Sequence, residues 1–147
     1  MCRPLATKVG SAISFEAAAG GCQVIAACFR NAGAVAASAL LSGSVITVIA
    51  AGERWTDHSL RPAYEDLLGA GNVVDALVAG GAEPSVEALA AMAVRDARGD
   101  LSLRLAATDS SKELAALGFR DDAEFASQLD EGETVPILKD RAFISWT

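Results

Sequence analysis

The sequence predicts an α/β fold with a mixed, partly parallel sheet flanked by helices. Three observations predict it. Two apolar runs, Gln23–Cys28 and Ser44–Ala51, have the length of strands buried on both faces, and the second is rich in Val and Ile. A ten-residue Ala-rich stretch, Ala32–Leu41, lies between them, so residues 22–51 read as a strand–helix–strand unit with a right-handed crossover. Finally, small residues dominate an apolar fraction of 52% with only 5% aromatics, which suits helices packed close to a sheet.

The 147 residues are enough for one domain with one core, and residues 1–147 are expected to form a single domain. The net charge of −7, with 12 basic residues scattered among 19 acids, leaves no basic stripe for displacing phosphate counterions, so nucleic acid is not an expected partner. Asn31–Gly52 carries no charge and is long enough to span a bilayer. Its serines and the Ser42-Gly43-Ser44 break read instead as a buried helix, a turn and a buried strand, so no membrane association is expected. Three cysteines, Cys2, Cys22 and Cys28, without CxxC spacing or a signal peptide, read as reduced thiols of a cytoplasmic protein, with Cys22 and Cys28 buried as small hydrophobes.

In chain order, Ser11 or Ser14 opens a short helix that Gly20-Gly21 ends. Gly10-Ser11 at that helix start is a possible phosphate cradle. Asn31 caps the helix 32–41. A longer helix is predicted from Arg61 to Ala79, capped by Ser59, with Pro62 in its first turn and an apolar face of Leu60, Tyr64, Leu67, Leu68, Val74 and Val78. Gly69 and Gly71 inside it point to a kink or a close packing contact. Ser85 caps a helix over 86–97, a short helix follows over 101–108, and Asp109-Ser110-Ser111 opens another that Gly118 stops. Asp121 or Asp122 caps 123–129, and residues 134–138 and 142–146 read as two short strands or extended pieces, with the proline inside the first making it an edge or a strand start.

The chemistry concentrates in one loop. After the run SVITVIAA, Gly52 lets the backbone turn, and Glu53, Arg54, Trp55, Asp57, His58, Ser59 and Arg61 follow within ten positions. Ligands of α/β proteins bind where strands end. Arg54 and Arg61 can hold an anion. Glu53, Glu65, Asp66 and Asp57 supply enough oxygen ligands for Mg²⁺, which takes one or two carboxylates and keeps waters. Arg61 and Glu65, four apart, would share a helix face as an ion pair. With one histidine, His58, a His-based metal site is excluded.

The stretch VIAAGERWTDHSLRPAYEDLLGAG resembles the signature region of the 2-phosphosulfolactate phosphatase family, with its Gly-Glu-Arg loop and Arg-Pro…Glu-Asp helix. Gly10-Ser11-Ala12-Ile13, Phe29-Arg30-Asn31-Ala32 and the tail from Asp121 to Phe143 extend the resemblance over nearly the whole chain. It implies Mg²⁺-dependent hydrolysis of a small anionic phosphate ester, 2-phospho-3-sulfolactate, on the route to sulfolactate or coenzyme M. By position, Gly52, Glu53, Arg54, Arg61, Glu65 and Asp66 match the signature, and Ser11, Arg30 and Asn31 match flanking segments. Glu53 and Asp66 are expected to be catalytic and, with Glu65, to hold Mg²⁺. Ser11, Arg30, Asn31, Arg54 and Arg61 are expected to bind substrate. Two departures stand out: Val9 replaces the family's Asn before Gly-Ser, and the family's N-terminal segment has no counterpart, so the chain is expected to be a shortened member or a fragment. A different reading is an inactive α/β remnant that binds an anion or a partner subunit. An open sheet edge would also favour a homo-oligomer.

Overall fold

A computed structural model of the protein describes residues 8–43, 45–96 and 100–146. Cys2, and the expected role of residue 44 as a strand start, lie outside the described residues. The fold is mixed helix and strand. Helices α1 (Lys8–Ala19), α2 (Ala32–Ser42), α3 (Tyr64–Ala79), α4 (Val86–Arg95), α5 (Leu101–Ala106), α6 (Asp109–Ala116) and α7 (Arg120–Ala126) carry most of it. The strands are β1 (Glu53–Arg54), β2 (Leu60–Arg61), β3 (Pro136–Lys139) and β4 (Ala142–Ser145). They form two separate antiparallel pairs, β1 with β2 and β3 with β4.

The partly parallel sheet expected over residues 22–51 is not formed among the described residues. Segment 22–28 instead meets the C-terminal hairpin in antiparallel sense, through one bridge from Ile25 to Ile137. The amide of Ala26 donates to Pro136 O, and that of Leu138 to Val24 O, each at 2.9 Å. Residues 45–51 make no backbone–backbone hydrogen bond among the described residues, which is why they are not a strand. Their burial still alternates. Ile46 and Val48 pack on the core, whereas Val45 (87% exposed) and Ile49 (55%) face outward. A continuous apolar run looked buried on both faces; one face is open. Cys22 and Cys28 are likewise exposed rather than buried, since they stand at the two ends of the bridged segment.

The core has two parts. Ala32 and Ala36 of α2 pack on Val73 and Leu77 of α3, with Leu40, Ile46 and Val48 around them. The small side chains let the two helices come close; the composition suggested close packing against a sheet, and the neighbour is a helix instead. Phe29, Leu68 and Leu105 form the second part, backed by Val94 and Leu101. Val9, the departure from the family pattern, is buried in α1. No described helix is long and apolar enough to cross a membrane.

Local rules explain the element ends. Gly21 (φ 84°) closes α1, with the amides of Gly21 and Cys22 donating to Ala18 O and Ala17 O. Ser85, Asp100 and Thr108 cap α4, α5 and α6 by accepting from the amides of Ala88, Leu103 and Ser111. Asp140 and Arg141 both take positive φ in the two-residue turn between β3 and β4. α3 starts at Tyr64, not Arg61, and Ser59 does not cap it. Pro62 disfavours helical geometry in the residue before it, so Arg61 falls on a strand.

Asn31, expected to cap α2 and to bind substrate, is a buried clamp. Its Oδ1 accepts from the Cys28 amide at 2.8 Å, and its Nδ2 donates to Thr134 O at 2.9 Å. The cap of α2 comes from the tail instead: Asp130 Oδ1 accepts from the Gly33 amide at 2.7 Å. Asn31→Ala leaves the part-buried Cys28 amide and Thr134 carbonyl without these partners, and is expected to cost about 1 kcal/mol. Urea denaturation reads this directly, and an unchanged midpoint would remove the clamp.

Candidate functional site

The site forms where the β1–β2 hairpin meets α3 and α6. Gly52 takes φ 70°, and a Cβ there would stand 3.2 Å from Arg61 O and 3.3 Å from Leu60 Cδ1. The tight turn therefore depends on glycine. In the hairpin Glu53 lies opposite Arg61, and Arg54 opposite Leu60. Successive strand residues point to opposite faces, so Glu53 and Arg61 share one face and Arg54 lies on the other.

This register decides the charges. Arg61, with a side chain only 15% exposed, places NH1 3.1 Å from Glu53 Oε2 and 3.1 Å from Glu113 Oε1 of α6. Its guanidinium stands 5.0 Å from the centre of the Trp55 ring. Ser110, also on α6, donates to Glu53 Oε1 at 3.4 Å. The expected helical pair of Arg61 with Glu65 is absent because Arg61 is not on the helix; Glu53 and Glu113 take its place. Arg54 spends its NH1 on His58 O at 2.7 Å, inside its own loop. Arg54 and Arg61 thus do not form the joint anion grip that their spacing suggested. The loop is shaped further by Asp57, whose Oδ1 accepts from the hydroxyl of Ser59 at 2.6 Å and from its amide at 2.9 Å. The Ser59 hydroxyl is the main reason that the Asp57 carboxyl is held below its ordinary range.

Asp66 lies behind the turn. Its Oδ2 accepts from the Gly52 amide at 2.7 Å. Burial pushes its carboxyl above the ordinary range, the Gly52 hydrogen bond opposes this, and the negative charges of Glu65 and Glu53 push it further up. The fold therefore favours the neutral form. That contribution is complete below the unfolded carboxylate pKa and is lost as pH rises through the raised one. Asp66→Asn keeps an acceptor for Gly52, so the variant is expected to be more stable than the parent at pH 7. The gain should vanish near about pH 4, where the unfolded acid is half protonated. Denaturation at the two pH values reads it, and a variant less stable at pH 7 would contradict it.

A cavity of about 520 Å³ opens beside Arg61, lined also by Trp55, Tyr64, Glu65, Arg104 and Ser110. A smaller apolar cavity of about 370 Å³ adjoins it, and Pro62, Ala63 and Tyr64 line both. Arg104, Tyr64, Ser110 and Glu113 were not among the residues singled out in the sequence. Tyr64 was read as part of a helix face, and the other three lie in helices some 40 to 60 positions away, with no local signal to mark them.

The remaining expected site residues are dispersed. Arg30 stacks on the Phe125 ring at 3.8 Å and hydrogen-bonds Gln128 Oε1 and Phe125 O at the end of α7. Asn31 is committed to the tail. Gly10 and Ser11 lie in the first turn of the described part of α1, which packs against β1. Among the described residues, no group of three or more His, Cys, Asp or Glu gathers as a metal cage. Mg²⁺ needs only one or two carboxylates, however, and Asp66 feels the charge of both Glu65 and Glu53. Carboxylate oxygen is the donor type that a hard divalent cation takes.

The sequence profile of the 2-phosphosulpholactate phosphatase family matches residues 5–141. The "Probable 2-phosphosulfolactate phosphatase" of Pseudothermotoga lettingae is 34% identical over 125 residues, covering 83% of this chain and 51% of that protein. The chain thus spans about half the length of the curated relative it matches.

Proposed function

This chain belongs to the 2-phosphosulpholactate phosphatase family, and from that premise we propose that it takes part in hydrolysing 2-phospho-3-sulfolactate to 3-sulfolactate and phosphate at the cavity beside Arg61. The observation that carries this reading is the largely buried guanidinium of Arg61 at the cavity wall, within the Gly-Glu-Arg to Arg-Pro segment that marks the family.

Hydrolysis adds water across the P–O ester bond, releasing the sulfonated alcohol and phosphate. The chain's own residues would contribute mainly charge and position, which is what phosphoryl transfer requires. Arg61 binds the phosphate oxygens, which compete with the more exposed Glu113 for its NH1. Glu53 keeps the guanidinium oriented from the paired strand. Ser110, at the first turn of α6, donates its hydroxyl hydrogen to Glu53 Oε1 and helps to hold that carboxylate. Mg²⁺, when bound by Glu53 and Asp66 with Glu65 beside them, would supply positive charge next to the phosphoryl oxygens. The test is phosphate release from 2-phospho-3-sulfolactate in the presence and absence of Mg²⁺. No release with the ion, or equal release without it, would sink the corresponding half of the reading.

A second reading is anion binding without turnover. The dispersed carboxylates favour it, since no three-ligand group forms among the described residues. Phosphate binding by calorimetry with no ester hydrolysis would select it.

A further inference from the structure

Tyr64 opens α3 and stands between the two cavities beside Arg61. Its hydroxyl oxygen accepts two hydrogen bonds from Arg104 of α5, one from Nε at 3.0 Å and one from NH2 at 2.6 Å. Arg104 is itself fixed by the carbonyls of Val94 and Arg95 at the end of α4, where a cation is favourable to the helix dipole. A phenol oxygen that already accepts two N–H groups has little acceptor capacity left. What it can still offer is its own O–H. The cavity wall there is thus a donor, held by a charge, in the same cavity as Arg61.

We propose that Tyr64 is a substrate-binding residue that donates its hydroxyl hydrogen to an oxyanion held by Arg61, and that Arg104 is a positioning residue that keeps the phenol in donor orientation. The ligand class is an ionised oxyanion whose oxygens accept, a phosphate ester or a sulfonate. The assignment rests on the reading of this cavity as a phosphate-ester site. It gives that site a second contact, drawn from a helix face and not from the loop.

Tyr64 is the chain's single tyrosine, so its ring resonances are readable without assignment of the rest. Adding inorganic phosphate to the full chain is expected to shift them. Tyr64→Phe keeps the ring and removes only the hydroxyl, and is expected to weaken phosphate binding by about 10- to 100-fold, as for a hydrogen bond to a charged partner, with the thermal midpoint nearly unchanged. Arg104→Lys, which leaves the phenol one cationic donor, is expected to fall between the two. Tyrosine resonances that ignore phosphate, or Tyr64→Phe binding phosphate as the parent does, would overturn the assignment. So would loss of binding in Arg104→Lys alone, which would make Arg104 the direct contact. Tyr64-dependent phosphate binding without hydrolysis of 2-phospho-3-sulfolactate would reject the phosphatase reading and keep this one. Hydrolysis by Tyr64→Phe at the parent's KM would do the reverse.

Discussion

Gly71→Ala is expected to destabilise the protein by about 3 kcal/mol or more, through forced separation of two helices. A Cβ at Gly71 would stand 2.3 Å from Ala91 O, 2.9 Å from Ala91 C and 3.0 Å from Arg95 Cβ. The first two are backbone atoms of α4, so no side chain can swing away; α3 and α4 would have to move apart. Helix propensity works in the opposite direction, since alanine in a helix interior is favoured over glycine by about 1 kcal/mol. The clash is larger and decides the sign. Gly69, two residues earlier on the same helix, provides the contrast, because its Cβ would meet only Phe29 Cζ at 4.0 Å. Gly69→Ala is therefore expected to be neutral or stabilising by up to about 1 kcal/mol. Thermal or urea denaturation of the pair checks both, and equal midpoints would show that the helices do not pack as closely as described.

Arg61→Gln is expected to lower kcat/KM for phosphate release by about 10²- to 10³-fold, the loss typical of removing one preorganised charged donor. The effect on stability should be far smaller. The partner side chains, Glu53 and Glu113, are 37% and 61% exposed, and pairs of that kind contribute at most about 1 kcal/mol. Arg61→Lys keeps the charge but not the planar fork, so it should recover only part of the rate. Steady-state kinetics with denaturation on the same samples separates the two effects. Parental activity in Arg61→Gln would remove Arg61 from the site, and an equal fall in stability would recast it as structural.

Where short-range chemistry decides, the chain could be read in advance. Gly20-Gly21, Ser85 and Gly118 act over a few residues, and each ends or starts an element as expected, as Pro136 does for one of the two short strands at the tail. The loop after Gly52 was also legible, since a glycine followed by dense charge is a local pattern. The site's second wall was not. Ser110 and Glu113 reach Glu53 and Arg61 across more than 50 positions, and Arg104 reaches Tyr64 across 40. The misread pairing of Arg61 has one origin: it was placed on a helix with Glu65, whereas Pro62 puts it on a strand opposite Glu53.

By itself the sequence determined that the protein mixes helices with strands, that alanines enter its core, that reactive side chains cluster over residues 52–66, and that it resembles one phosphatase family. These are properties of composition and of neighbours along the chain. The tertiary structure decided the rest. It left residues 45–51 without a backbone partner among the described residues, paired 22–28 with the tail, stacked Arg30 on Phe125, tied Asn31 to the tail, and set Arg104 behind Tyr64. Hydrogen-bond partners and burial depend on which segments meet in space, and an apolar run reads the same whether one of its faces is covered or both.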